Sequence, residues 1–552
     1  MTQRRRYCQR MEMHFATVWE SIADVIPDHP AITHGDLTRS WREYDERAAR
    51  LAGALDDAGL GHDAKTALYM YNCNEYMEAQ YGCMKTRGVP INVNYRYLDE
   101  ELWYLLDNSD SQALFFHSSL GDRVARVIER LPDLKLVVEV DDGEGAGQVP
   151  GALRYDDVID RHDPMPRIER RDDDIYMLYT GGTTGMPKGV MYANGGMAAG
   201  LIATGFPLLG VAPPTDAAEV AGIVRTAVEA GNQLVSIPCA PLMHGTGLWI
   251  GCFIPHLAGG HVITLTNRSL DPHEVLQTVE RHDATAITIV GDSFAKPLIR
   301  ALDEGKPDGS KYDTSSIGVI SSSGVMWTTE VKEQLLDRIE QAILVDAMGS
   351  TEGTMGTQIS MKGMTSDTAK FTQAPTTKVF TDDDREVTPG SDEVGMVAAG
   401  GNVPLGYYKD PDKSARTFRV IDGVRYSFPG DFAKVAEDGS LILLGRGSQV
   451  INTGGEKVFP EEVEEAVKRV DGVLDCLVVG VPDEKFGQAV TAVVSLADGA
   501  TSDSASIIAS VKSDLAGYKA PKSVIFVDQV PRAPNGKADY RRAKEHAETA
   551  LA

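Results

Sequence analysis

The chain has 552 residues, 42% hydrophobic and 24% charged, a composition that suits several packed globular units and excludes a mostly disordered protein. Its 80 acidic side chains outnumber 54 basic ones, for a formal charge of −26; such a field repels polyanions and argues against nucleic acid as a partner. Any anionic substrate must then be gripped by cations gathered at one place.

The six cysteines, Cys8, Cys73, Cys83, Cys239, Cys252 and Cys476, show no close pair with zinc-ligand spacing and read as reduced thiols of a cytoplasmic protein. The N-terminus is basic, but no apolar core follows, so it does not read as a secretory signal. Two uncharged stretches, 191–215 and 234–267, are interrupted by Gly and Pro, and the second carries His244, His256 and His261. Buried strands and loops are expected there, rather than integral membrane segments. A homodimer stays open.

Taken in chain order, helical patterns alternate with short apolar runs. A helix over 44–59 precedes a strand over 65–71, and further strands are expected over 113–117, 135–140, 174–180, 286–290 and 317–322. The alternation predicts an α/β fold with a sheet covered on both faces. Residues 209–233 form an Ala-rich insert, expected to be a helix with flanking loops on a surface excursion.

The character changes near Gly445. A strand over 441–444 runs into a Gly-rich polar turn, and a helix is expected from Pro460, with Glu461 and Glu462 at its positive end and Val463, Val467 and Val470 on one face. Strands over 477–480 and 489–496, a helix over 504–516 and a strand over 523–527 complete a small α+β unit. The expected division is therefore a large multi-subdomain unit, 1–445, and a small mobile one, 446–552.

The sharpest chemical signal is the run Tyr179-Thr180-Gly181-Gly182-Thr183-Thr184-Gly185-Met186-Pro187-Lys188-Gly189, directly after a predicted strand. Glycines let the backbone approach an anion, the threonine hydroxyls donate to phosphate oxygens, and Lys188 adds a point charge. It is not a Walker loop, because no Gly-Lys-Ser/Thr run leads into a helix.

This run resembles the Thr-Ser-Gly-Thr-Thr-Gly-x-Pro-Lys-Gly loop of the adenylate-forming superfamily, which includes acyl-CoA synthetases, luciferases and peptide-synthetase adenylation domains. Gly181 stands where serine is usual. Four more landmarks follow in that family's order. The segment Pro241-Leu242-Met243-His244-Gly245-Thr246-Gly247 resembles the acyl-pocket wall. Met348-Gly349-Ser350-Thr351-Glu352 resembles the segment in which Thr351 would touch the α-phosphate and Glu352 would hold Mg2+. Asp431, after Pro429-Gly430, resembles the ribose-binding carboxylate, with Arg446 nearby; Lys537, in Pro534-Asn535-Gly536-Lys537, resembles the lysine that enters the site for adenylation. By position the hinge is Ser448, where a charged residue is usual, and the turn lining the coenzyme A tunnel is Gly454-Gly455.

The resemblance implies an enzyme that uses ATP, Mg2+ and coenzyme A to turn a carboxylic acid into its acyl adenylate and then its thioester. Lys537, Lys188, Thr184 and His244 would act on the reacting groups. Ser323, Gly324, Met348 and Gly349 would join the phosphate loop, Thr351, Asp431 and Arg446 around the nucleotide, with Met348 against adenine in place of the usual aromatic ring. His244 replaces the aspartate that pairs with a substrate ammonium in amino-acid-activating relatives. With Gly245, Gly247, Trp249, Val325 and Met326 it implies an apolar pocket. The runs 181–191, 321–327 and 451–466 resemble bacterial fatty-acyl and steroid-side-chain CoA ligases. Two rival readings are an acyl-AMP ligase that loads a carrier protein and a catalytically silent nucleotide-binding protein.

Overall fold

A computed structural model describes residues 13–145, 149–181, 186–365, 367–453, 456–483, 486–533 and 536–551, without the side chains of residues 208, 209, 448 and 457. The N-terminal helix Phe15–Val25 spaces Phe15, Val18, Trp19 and Ile22 along one face and buries all four. Trp19 meets Tyr81 and Phe253 edge to face, which locks this helix onto the large core. The helix Trp41–Asp57 opens on a reciprocal capping box between Ser40 and Glu43.

A five-stranded parallel sheet holds Lys65–Tyr69, Ser111–His117 and Leu136–Val140, the first strands expected. A thirteen-stranded sheet carries the parallel run His261–Thr264, Val235–Pro238, Ala286–Ile289, Val319–Ser323 and Ile343–Ser350. Beyond Ile343–Ser350 the same sheet continues antiparallel, through Gly353–Ser360 to Asp431–Val435 and Leu441–Arg446. Of this antiparallel half the sequence pattern predicted only the strand at 441–444, which runs over Leu441–Arg446. Its strands are half-exposed: Asp431–Val435 alternates buried Asp431, Ala433 and Val435 with more exposed neighbours, so no continuous apolar run marks it.

Two expectations are corrected. The stretch 191–215 is not strand and loop throughout; it contains the helix Asn194–Gly205, whose Met197, Ala198 and Ile202 are buried. The Ala-rich insert does form a helix, Ala217–Glu229, but it is no surface excursion. Val220, Val224 and Val228 recur every four residues and pack into the main core beside the N-terminal helix. Among the described residues no helix is long and apolar enough to cross a membrane.

Between Arg446 and Ile451 the chain leaves the large sheet for the five-stranded sheet of the C-terminal unit, where Val473–Asp483 and Gly487–Leu496 form the central hairpin. The helix Pro460–Lys468 buries Val463 and Val467 against it. Among the contacts that tie this unit to the large one, Lys296 Nζ donates to Leu474 O at 2.9 Å and Ser293 Oγ to Gly536 O at 3.4 Å.

Candidate active site

The strands Ile175–Thr180 and Lys188–Ala193 pair antiparallel with Thr180 opposite Lys188. The phosphate-loop sequence is thus a hairpin connection that returns its lysine beside its first threonine. Gly182, Thr183, Thr184 and Gly185 lie outside the described residues. Gly181 is exposed, and a Cβ there would meet nothing within 4 Å; space does not dictate glycine for serine.

Asn92, a residue that no motif singled out, fixes this loop to the acyl wall. Its side-chain amide accepts from Tyr179 N at 2.6 Å and donates to Tyr179 O at 2.8 Å and Met243 O at 2.6 Å. Asn72 repeats the device on the same wall, accepting from Leu242 N at 2.8 Å and donating to Ala240 O at 3.2 Å. Both satisfy backbone groups that no strand reaches, which burial demands.

The backbone after His244 winds into a π-helix, Thr246–Phe253. Gly247 permits it, because a Cβ there would run into the carbonyls of Ala240 and Pro241. The ring of Trp249 lies 3.2 Å from where a Cβ on Gly245 would stand, and its Nε1 donates to Tyr176 OH at 2.7 Å. Gly245, Gly247 and Trp249 are thus brought beside His244. Burial, reinforced by the charges of Lys537 and Arg96, lowers the His244 pKa to about 3, so its imidazole is neutral at physiological pH.

Gly324 follows the strand Val319–Ser323 with a φ of +89°. Measured from the position its Cβ would take, Thr246 Oγ1 is 3.6 Å away and Lys537 Cε 3.7 Å. Ser323 Oγ donates to Ala347 O at 2.7 Å, holding this strand end to its neighbour. The C-terminal lysine therefore stands at the wall formed by Thr246 and Gly324. Lys537 keeps an exposed surface; surrounding protein and the Arg446 charge nonetheless lower its pKa, against the pull of Glu352.

Glu352 sits in the tight turn between two antiparallel strands, its N–H donating to Ser350 Oγ at 3.1 Å. Tyr407 OH donates to Glu352 Oε1 at 2.8 Å, and Tyr192 OH donates to Thr351 O at 2.9 Å. Neither tyrosine carried a sequence signal, since each touches the site through the fold alone. Asp431 and Arg446 face each other across paired strands, with Arg446 Nε donating to Asp431 Oδ1 at 3.2 Å. Burial raises the Asp431 pKa, and Arg446 opposes that shift. Asp431 Oδ2 is buried without a hydrogen-bond partner among the described residues. An orphaned oxygen of this kind costs about 1–3 kcal/mol until a donor arrives, which suits a sugar hydroxyl.

Magnesium fits this set. Glu352 offers a hard carboxylate oxygen, and no group of three or more His, Cys, Asp or Glu side chains among the described residues could hold a metal alone. A cation shared between one carboxylate and substrate phosphates is the arrangement that suits magnesium.

Met348 is 5% exposed and packs with Met355, Phe371 and Ala433, so its thioether offers a ligand little surface in this arrangement. Strand alternation turns it away from the face of Ala347 and Gly349. Val325 and Met326 line a cavity of about 620 Å³ between the units, with Pro241 on the same side and Arg532 and Gly536 opposite. Its lining includes Gly536, next to Lys537 in sequence, and does not include Asp431 or Glu352. Ser448 falls in the 3₁₀ turn Gly447–Gln449 that follows Arg446; Gly454 and Gly455 lie outside the described residues.

Two family models match: the AMP-binding enzyme over residues 19–408 and the AMP-binding enzyme C-terminal domain over residues 462–537. The chain belongs to the AMP-binding enzymes. It is 40% identical over 545 residues to the 3-oxocholest-4-en-26-oate--CoA ligase of Rhodococcus rhodochrous, covering 97% of this chain and 96% of that protein. It is 39% identical over 550 residues to the medium/long-chain-fatty-acid--CoA/3-oxocholest-4-en-26-oate--CoA ligase of Mycolicibacterium smegmatis, covering 98% and 97%. In fold it is similar to ATP-bound MatB from Rhodopseudomonas palustris, with a TM-score of 0.80 at 24% identity over 98% of this chain and all of that one.

Proposed function

We propose that this enzyme activates a hydrophobic carboxylic acid, a medium- or long-chain fatty acid or a steroid side-chain acid, as its acyl adenylate and passes the acyl group to coenzyme A in the cytoplasm. One observation carries the reading: Lys537 of the small unit stands at Gly324 and lies within electrostatic reach of His244, Glu352 and Arg446. The chemistry needs that meeting. Attack of a carboxylate on the α-phosphate brings two anions together, and cations placed in advance stabilise the charge that accumulates.

In this reading Lys188 and the phosphate loop hold the triphosphate, Asp431 accepts from the ribose hydroxyls, and Lys537 binds between the carboxylate and the α-phosphate. Glu352 would hold magnesium, which supplies charge neutralisation at the phosphates when bound. A neutral His244 beside Trp249 and Val325 disfavours a substrate ammonium and accepts an apolar acid. The resemblance to steroid and fatty-acid ligases supports the acid class.

The test is a panel of short, long and sterol-derived acids incubated with ATP, magnesium and free coenzyme A. AMP, pyrophosphate and thioester should appear together with hydrophobic acids. Pyrophosphate release without a coenzyme A thioester would replace this reading by a carrier-loading one; no release with any acid would end it.

A further inference from the structure

Two lysines meet at the exit of the phosphate loop, only one of which the sequence motif includes. The short strand Gly406–Tyr407 pairs antiparallel with Met191 and Val190, and Tyr408 N donates to Gly189 O at 2.8 Å. This places the turn after Tyr407 directly alongside Lys188. The helix Pro411–Thr417 then begins with Asp410 as its cap, accepting from Lys413 N at 3.0 Å. Lys413 Nζ lies 5.4 Å from the centre of the Tyr407 ring and Lys188 Nζ 5.7 Å from the same point. The hydroxyl of that ring is bound to Glu352.

Neither ammonium is ion-paired among the described residues. That is unexpected in a chain with 80 acidic and 54 basic side chains. The neighbouring Lys409 shows the ordinary outcome, an ion pair with Asp110 at 2.7 Å. A solvated lysine next to a like charge would swing away. Lys413 instead stays half-buried over the tyrosine ring; burial and its proximity lower the Lys188 pKa to about 8, against the pull of Asp410 and Glu352. Two cations held at one ring beside the exit of the phosphate loop, with Asp410 and Glu352 reaching Lys188 through the field and without an ion pair among the described residues, describe a seat for a small, highly charged anion.

We propose that Lys413 acts with Lys188 as a seat for the pyrophosphoryl end of ATP, the β- and γ-phosphates, and for inorganic pyrophosphate in the reverse direction. The proposal rests on the adenylating function set out above. As the carboxylate oxygen bonds to the α-phosphorus, the bond from that phosphorus to the bridging oxygen breaks. The electron pair leaves with pyrophosphate, where Lys413 meets the added charge.

The experiment measures binding of magnesium pyrophosphate and of AMP to the full chain by calorimetry, for wild type, Lys413→Gln, Lys413→Arg and Lys409→Gln. Lys413→Gln should weaken pyrophosphate about tenfold or more and leave AMP unchanged, while Lys413→Arg keeps most of the affinity. Lys409→Gln should leave pyrophosphate binding as it was. Unchanged pyrophosphate affinity in Lys413→Gln, or an equal loss in Lys409→Gln, overturns the seat. Isotope exchange between pyrophosphate and ATP, run on wild type with the acid panel, separates the two ideas. Exchange alongside a normal Lys413→Gln removes the seat alone, whereas tight lysine-dependent pyrophosphate binding without exchange removes the adenylating function alone.

Discussion

The carboxylate of Glu461, in the first turn of the C-terminal unit's helix Pro460–Lys468, occupies the space that a side chain on Gly445 would need. Glu461 Oε1 also accepts from Arg446 N at 3.4 Å, and its Oε2 is buried without a partner among the described residues. The small unit thus presses a buried acid against the backbone that carries Arg446, and through Arg446 against Asp431. Any rotation of the unit about the following turn must break this contact.

Gly445→Ala should therefore be costly twice over. Gly445 has a φ of +120°, which an L side chain rarely adopts, and the new methyl would strike Glu461. A loss of about 2 kcal/mol or more in denaturant unfolding is expected. An unchanged unfolding midpoint would mean that the two groups do not hold each other.

Burial, strengthened by the charge of Glu464, raises the Glu461 pKa from 4.5 to about 8. Asp431 acts in the same direction, Arg446 N opposes it, and Tyr540 also lies within reach of this carboxyl. The folded carboxyl keeps its proton to higher pH than the unfolded one. Its contribution to stability is therefore complete below about pH 4.5 and is lost as pH rises through about 8. Glu461→Gln should gain stability relative to wild type across that window and level off above it. Parallel pH–stability curves for the two proteins would contradict the raised pKa.

Lys537→Ala should slow adenylate formation roughly a hundred- to thousand-fold, while thioester formation from a supplied acyl adenylate stays largely intact. Rapid-quench measurement of each half-reaction makes the comparison. Equal damage to both would refute the role given to this lysine.

Beneath the site, Lys332 Nζ bonds Asp346 Oδ2 at 2.9 Å, and both side chains are nearly inaccessible, at 1% and 7% exposure. Asp346 lies on the strand that ends at Ser350, so this pair underpins the Glu352 turn. Lys332→Met strands a carboxylate in the core and should cost about 3–5 kcal/mol. Adding Asp346→Asn should restore much of that, because the buried charge is gone. A double variant as unstable as the single one would assign the loss to packing instead.

Much of the parallel architecture was legible in local pattern. The strands near 65, 113, 135 and 286 are short, mostly apolar runs in parallel pairing, the strand near 175 is equally apolar but pairs antiparallel, and the insert's valines already carried the spacing of a packed helix. The strands from Gly353 to Val435 were hidden, since most are short and the longest, Gly353–Ser360, mixes Gly, Thr, Gln and Ser with few apolar residues. Within the site, Lys188 stood out by the composition of its own loop, and Glu352, Asp431 and Lys537 were expected because their short contexts resemble the family's motifs. Asn92, Tyr192 and Tyr407 could not be named, because they act through single contacts across the fold.

By itself the chain's order of residues determined the chemistry: a loop rich in threonine and glycine, a few isolated charges, and an excess of negative charge that forces cations to gather. The tertiary structure decided which of those charges meet. Lys413 faces Lys188 only because a two-residue strand pairs with Val190 and Met191, and Glu461 reaches Gly445 only because the small unit docks there. Distance in space between residues far apart in sequence is set by packing and strand pairing, and neither is written at any single position.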